Sequence, residues 1–115
     1  MYNYRTVETD NLEFVPVATT SEVGPGQRLL LDIGDLSLVV FNIAGGYFAI
    51  ADICSHDDGP LGEGELEGQV IECPRHGGRF DLSNGKAIQL PAVEDIPAYP
   101  VRVEGDQILV GLPVE

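Results

Sequence analysis

Basic residues are scarce in this chain: 6 lysines and arginines stand against 19 carboxylates, for a formal net charge of −13. A surface this acidic excludes nucleic acid as a natural partner and favours encounter with basic patches on other proteins. Long apolar runs are also missing. No stretch approaches the roughly twenty residues that a membrane-spanning helix needs, and residues 1–10 lack the charged-then-apolar layout of a signal peptide. A cytoplasmic protein with no membrane partner is the expectation. Helical periodicity is absent as well, since no segment repeats its apolar residues at intervals of three and four. Cysteine and histidine are scarce too, with two of each.

What is present is a chain of 115 residues, near the common size for one domain and too short for two sizeable cores. A single domain over 1–115 is expected. Apolar residues make up 43%, enough for a packed interior, while 14 glycines and 8 prolines imply many turns between short strands. Alternating and β-branched stretches fall at 12–18, 28–33, 36–43, 47–51, 69–72, 79–82, 99–104 and 107–112. Turn residues separate them at Gly24-Pro25-Gly26, Gly34-Asp35, Gly45-Gly46, Asn84-Gly85 and Gly105-Asp106. The pattern predicts an all-β, mostly antiparallel fold. Residues 57–68 carry four glycines, one proline and five carboxylates, a composition that reads as an exposed excursion with little core of its own.

The four scarce residues are not scattered. They form Cys54-Ser55-His56 and, after sixteen intervening residues, Cys73-Pro74-Arg75-His76. Both pairs fall where the strand pattern breaks, so each is expected on a loop at a strand end. Two thiolates and two imidazoles in matched halves are the ligand set of a 2Fe-2S centre in which histidines replace two cysteines on one iron. The charge arithmetic distinguishes this set: two ferric ions, two sulfides and two thiolates sum to zero, whereas four thiolates leave −2. A less negative cluster accepts an electron more easily. Zinc takes the same four ligands in a tetrahedral site, so ligand identity leaves it open, although usual zinc spacings put like residues together. A Cys54–Cys73 disulfide is the formal alternative to either metal.

Beyond the ligands, Leu61, Gly64-Glu65-Leu66, Gly68, Ile71, the continuation to Gly77, Phe80-Asp81 and Gly85 resemble the Rieske pattern. The chain resembles a Rieske-type ferredoxin, loosely over 15–110 and closely over 52–92. Leu90-Pro91-Ala92 looks like the proline-containing loop that covers the cluster in this family. The resemblance implies a β-sandwich base with a smaller cluster-binding subdomain, about 46–92, inserted into it. It implies one 2Fe-2S cluster per chain, bound by Cys54, His56, Cys73 and His76, with the cysteines on the deeper iron and the histidines near the surface. It also implies a soluble one-electron carrier, not an enzyme, fed by a flavin-dependent reductase and feeding a terminal oxygenase. No third histidine exists to build the mononuclear iron site of an oxygenase. The other readings are a small subunit of a nitrite-reductase-like enzyme, which frequently lacks the ligands, and a zinc-stabilised binding module.

Departures from the family pattern are informative too. Respiratory-type members carry an extra cysteine after each ligand pair and join the two loops by a disulfide; the matching positions here are near Pro60 and at Arg75. Those members also place hydroxyl groups where this chain has Gly78 and Phe80, and such donors to sulfur raise the reduction potential. Pro74, Gly77 and Gly78 are expected to shape a tight loop whose amides point at sulfur. Arg75 and Arg79 are expected to pair with Asp57, Asp58 or Glu72 at the surface, Phe80 to belong to the core, and Glu63, Glu65 and Glu67 to form a solvated face. Without the two hydroxyl donors, the potential should lie near the lower end of the Rieske range of about −150 to +300 mV. Protein-film voltammetry measures it, and a value near the upper end contradicts the expectation.

Overall fold

The computed structural model describes residues 12–54, 59–92 and 94–113. Among these, the strands are β1 Leu12–Thr19, β2 Arg28–Ile33, β3 Leu36–Ile43, β4 Gly46–Ala51, β5 Glu65–Glu67, β6 Val70–Glu72, β7 Arg79–Asp81, β8 Ala87–Gln89, β9 Ala98–Tyr99, β10 Val101–Glu104 and β11 Gln107–Pro113. The helical content of the described residues is one 3-10 turn, Thr20–Glu22. The all-β expectation holds.

The strands assemble into three antiparallel sheets, ordered β2-β3-β4-β9, β1-β11-β10 and β5-β6-β7-β8. β3 is the centre of the base because its sequence is apolar on both faces: Leu38, Val39, Val40 and Phe41 are all fully buried. A strand that alternated would leave one face in water. β2 and β4 pair along its two edges in unbroken register, Leu31 opposite Leu38 and Ile50 opposite Val39.

Two details differ from the sequence reading, each for a backbone reason. The hairpin between β3 and β4 turns on Ala44 and Gly45, at φ 52° and 82°, so Gly46 already belongs to β4. That turn is the one whose twist matches the flanking strands. The single strand expected over 99–104 is broken at Pro100. Proline has no N–H to give a ladder, and here the chain leaves β9 in one base sheet and continues as β10 in the other. The Pro100 carbonyl still accepts the Gly111 N–H at 2.9 Å, which ties the crossing to β11.

The third sheet emerges between β4 and β9. Its inner face buries Ile71 and Phe80, both fully, and its outer face carries Glu65, Glu67, Glu72 and Arg79. Burial of two such side chains contributes roughly 1.5–3 kcal/mol each, enough to fasten a sheet of three-residue strands. The alternation of glutamates near 65 is therefore β5, and β8 is a further short strand that the sequence pattern did not mark.

The excursion expected over 57–68 is a correction. Asp57 and Asp58 lie outside the described residues, but Leu61 is fully buried, and Gly62 and Gly64 are buried with it. Its glycines serve close packing: a Cβ on Gly62 would collide with the Val39 side chain, and one on Gly64 with the Glu72 carbonyl. Side chains of the base supply the hydrogen bonds that this buried backbone needs. Asp52 Oδ1 accepts the N–H groups of Leu61 and Gly62 at 2.8 and 2.6 Å. Arg28 Nη1 donates to the carbonyls of Gly62 and Gly64, both at 2.7 Å.

Gly26 and Gly85 provide a matched test of close packing. Both have φ +76°, yet a Cβ on Gly26 meets open space while one on Gly85 would strike the Ile96 carbonyl. Gly26→Ala should cost about 1 kcal/mol for the left-handed backbone alone. Gly85→Ala should cost at least about twice that in urea unfolding, because the ideal Cβ position is blocked by backbone; equal costs would contradict the packing.

Candidate metal centre

The first ligand loop begins where β4 ends. Ala51 donates its N–H to Pro97 O, and Asp52 to Ser37 O, so the chain is held on both sides before it turns away. Cys54 then donates its N–H to Gly59 O at 2.7 Å, closing the loop that carries Ser55 and His56. Those two residues, with Asp57 and Asp58, lie outside the described residues, so His56 has no described position.

The second loop follows β6 directly. Cys73 N–H donates to Gly78 O at 2.7 Å and Gly77 N–H to Cys73 O at 3.1 Å, a compact turn that needs Gly77 at φ +81°. Gly78 N–H donates to His76 Nδ1 at 3.2 Å. The amides of Gly77 and Gly78 therefore close the loop and contact the imidazole.

The two loops bring Cys54, Cys73 and His76 together, with their ligand atoms all within 4.8 Å of one another. Cys54 Sγ and His76 Nε2 are 3.0 Å apart. Both cysteines are buried, at 0% and 1% exposure, and neither is in a disulfide, whereas His76 is half-buried. Two soft sulfur donors inside and an imidazole nearer the surface form a donor set suited to iron-sulfur or zinc. The two thiols thus lie deeper than the imidazole.

The proline-containing segment lies against the second loop. Gln89 Nε2 donates to Gly77 O at 3.0 Å, and Ala92 N–H to Gln89 O at 3.2 Å. A Cβ on Gly78 would come within 2.9 Å of Ala92 Cβ and 3.0 Å of His76 Cε1. Gly78 is thus required for the two segments to close, and Phe80, fully buried, is core as expected.

The surface arginines divide. Arg79 Nε pairs with Glu72 Oε1 at 2.9 Å and its Nη1 reaches Glu67 at 3.9 Å, a part-exposed arrangement that contributes little stability. Arg75 reaches back to the first loop, where its Nη1 donates to Pro60 O at 2.6 Å; its expected partners Asp57 and Asp58 lie outside the described residues. Asp52, Arg28 and Gln89, which support the loops, were not singled out from the sequence. No local pattern marks the partners of Arg28, 34 and 36 residues away, or that of Gln89, 12 residues away.

Comparison with known proteins agrees with this geometry. The Rieske [2Fe-2S] domain matches residues 13–100. The ferredoxin component of biphenyl 2,3-dioxygenase from Rhodococcus jostii is 38% identical over 96 residues, covering 84% of this chain and 90% of that protein. The ferredoxin of carbazole 1,9a-dioxygenase from Nocardioides aromaticivorans superposes with a TM-score of 0.79 at 36% identity, covering 84% of this chain and 95% of that one. A chain in a complex of reduced oxygenase and oxidised ferredoxin of carbazole 1,9a-dioxygenase superposes at 0.78 with 31% identity, covering 84% and 91%. With its thiols and imidazole converging from two loops of an all-β fold and the match spanning most of its length, the chain belongs to the Rieske 2Fe-2S family.

Proposed function

We propose that this chain is the ferredoxin component of an oxygenase system, a one-electron carrier that receives its electron from a flavin-dependent reductase and delivers it to a terminal oxygenase. The observation that carries the reading is the convergence of Cys54, Cys73 and His76 in a chain aligned over nearly the full length of proteins named as ferredoxins. Both histidines belong to the ligand pairs, so none of these 115 residues is a histidine left over for a mononuclear iron. The chain has no catalytic site of its own. Intact ligand pairs argue against a nitrite-reductase-like small subunit.

Cys54 and Cys73 would hold the inner iron, and His76 with His56 the outer one, His56 being supplied by the loop that Cys54 and Gly59 close. When bound, the cluster supplies a couple that takes up or releases one electron at the histidine-ligated iron. The residues around it do the rest. Buried thiols keep solvent from the inner metal, the Gly78 N–H fixes the orientation of the His76 ring, and the half-buried imidazole brings the outer metal toward a partner surface. One domain over 1–115 is proposed, with the cluster-binding part at about 46–92 sharing β4 with the base sheet. A net charge of −13 favours basic protein partners over nucleic acid. The cytoplasm is the compartment proposed, where reducing conditions keep both thiols available.

The reading is tested by absorbance and low-temperature EPR of the reduced protein, with iron and acid-labile sulfide expected at two each per chain. A colourless, EPR-silent, zinc-containing protein would overturn it. His76→Ala and His56→Ala should each lose or convert the cluster, and an unchanged Rieske-type spectrum in either would remove that residue from the ligand set.

A further inference from the structure

For Cys54 to face Cys73 and His76, two separate loops must keep a fixed register. With only two cysteines in the chain, both within the ligand pairs, no disulfide is available to join them. Arg75 occupies the position between Pro74 and His76 and crosses the gap. Its Nη1 donates to the Pro60 carbonyl at 2.6 Å. A Cβ built on Gly59 would lie 2.7 Å from Arg75 Nη2, 2.8 Å from Cζ and 3.0 Å from Nε. Three guanidinium atoms at nearly equal distance mean that the planar group lies flat over Gly59.

The neighbouring carbonyl is taken as well, since Gly59 O accepts the Cys54 N–H at 2.7 Å. Successive carbonyls of the first loop are therefore held from two directions, one by its own ligand residue and the next by the residue beside His76. Gly59 has no side chain, and the nearest atoms that a Cβ there would meet all belong to the Arg75 guanidinium. The space it leaves is filled by the guanidinium.

We propose that Arg75 is a positioning residue that clamps the first ligand loop to the second, and that Gly59 is glycine to seat it. The clamp rests on the reading of this site as the cluster site. Its charge-assisted hydrogen bond is of the stronger kind, and the fork geometry that lets one guanidinium both stack and donate is particular to arginine. Without it, the two loops lose a direct contact and open locally more easily.

A pair of variants separates the clamp from the mere presence of a cation. Arg75→Met removes donor and charge together; Gly59→Ala keeps the charge but places a methyl group where the guanidinium lies. In the cluster-loaded protein each should speed iron release to a chelator by about tenfold, the range of one charge-assisted hydrogen bond. The double variant should release iron no faster than Arg75→Met alone, because both changes break one contact. Hydrogen exchange of the Cys54 amide should quicken in both single variants while amides of β3 keep their protection. Wild-type release in both single variants, or additive effects in the double variant, would overturn the clamp. A wild-type protein without a 2Fe-2S spectrum would instead overturn the proposed function, which keeps the two failures distinct.

Discussion

Drawing an irregular loop into a protein interior leaves its N–H and C=O groups without water, and each one left unpaired is costly. Here the segment after the first ligand pair is drawn in, and two ionic side chains of the base satisfy it: the Asp52 carboxylate takes two amides, and the Arg28 guanidinium bonds two carbonyls. Opposite charges meet opposite ends of the same short backbone stretch. Arg28 also lies over the Phe41 ring, 5.6 Å from its centroid, which anchors the cation to the central strand. With the backbone satisfied, Leu61 can enter the core, Gly64 can approach the Glu72 carbonyl, and the third sheet can close on the base. Asp52 stands two residues before Cys54, so the same contact that seats the segment also aims the first ligand.

That dependence explains which parts of the molecule were legible in the sequence. β2 and β3 could be read to the residue because long apolar or alternating runs bounded by Gly34-Asp35 leave little freedom. The ligand pairs were legible because metal chemistry demands particular residue types at adjacent positions. Supports such as Arg28 act on partners 34 and 36 residues away, and no local pattern marks such a pairing. β8, with Ala87, Ile88 and Gln89, has no alternation to mark it, whereas the alternating glutamates at 63, 65 and 67 already outlined β5. The excursion was misread for a related reason: glycine and carboxylate content signals exposure only when nothing reaches over to satisfy the backbone.

Charge on the third sheet is organised by the same register. Glu65 lies directly opposite Glu72, and Glu72 opposite Arg79. Like charges facing across strands are unfavourable, and the Arg79 ion pair relieves only part of the cost because both side chains remain about a third exposed. The outer face beside the second ligand loop therefore keeps a net negative charge. Such a face raises the rate of encounter with a basic partner and loses that advantage as salt rises.

The packing of the second loop also bears on redox chemistry. Gly78 stands where the resemblance to the family implies a hydroxyl in respiratory-type members, yet here a Cβ would press on Ala92 and on the His76 ring. Ala92 is held by Gln89, and Gln89 holds the Gly77 carbonyl, so the covering segment and the ligand loop are one packed unit. The missing donor is thus a condition of how this site closes, not a vacancy that a serine could fill. Phe80 imposes the same economy from the other side, since the ring is fully buried beneath the loop and carries no polar atom. A fold that seals its thiols with apolar and glycine contacts keeps water away from whatever those thiols hold, and that exclusion strengthens every remaining electrostatic interaction at the site.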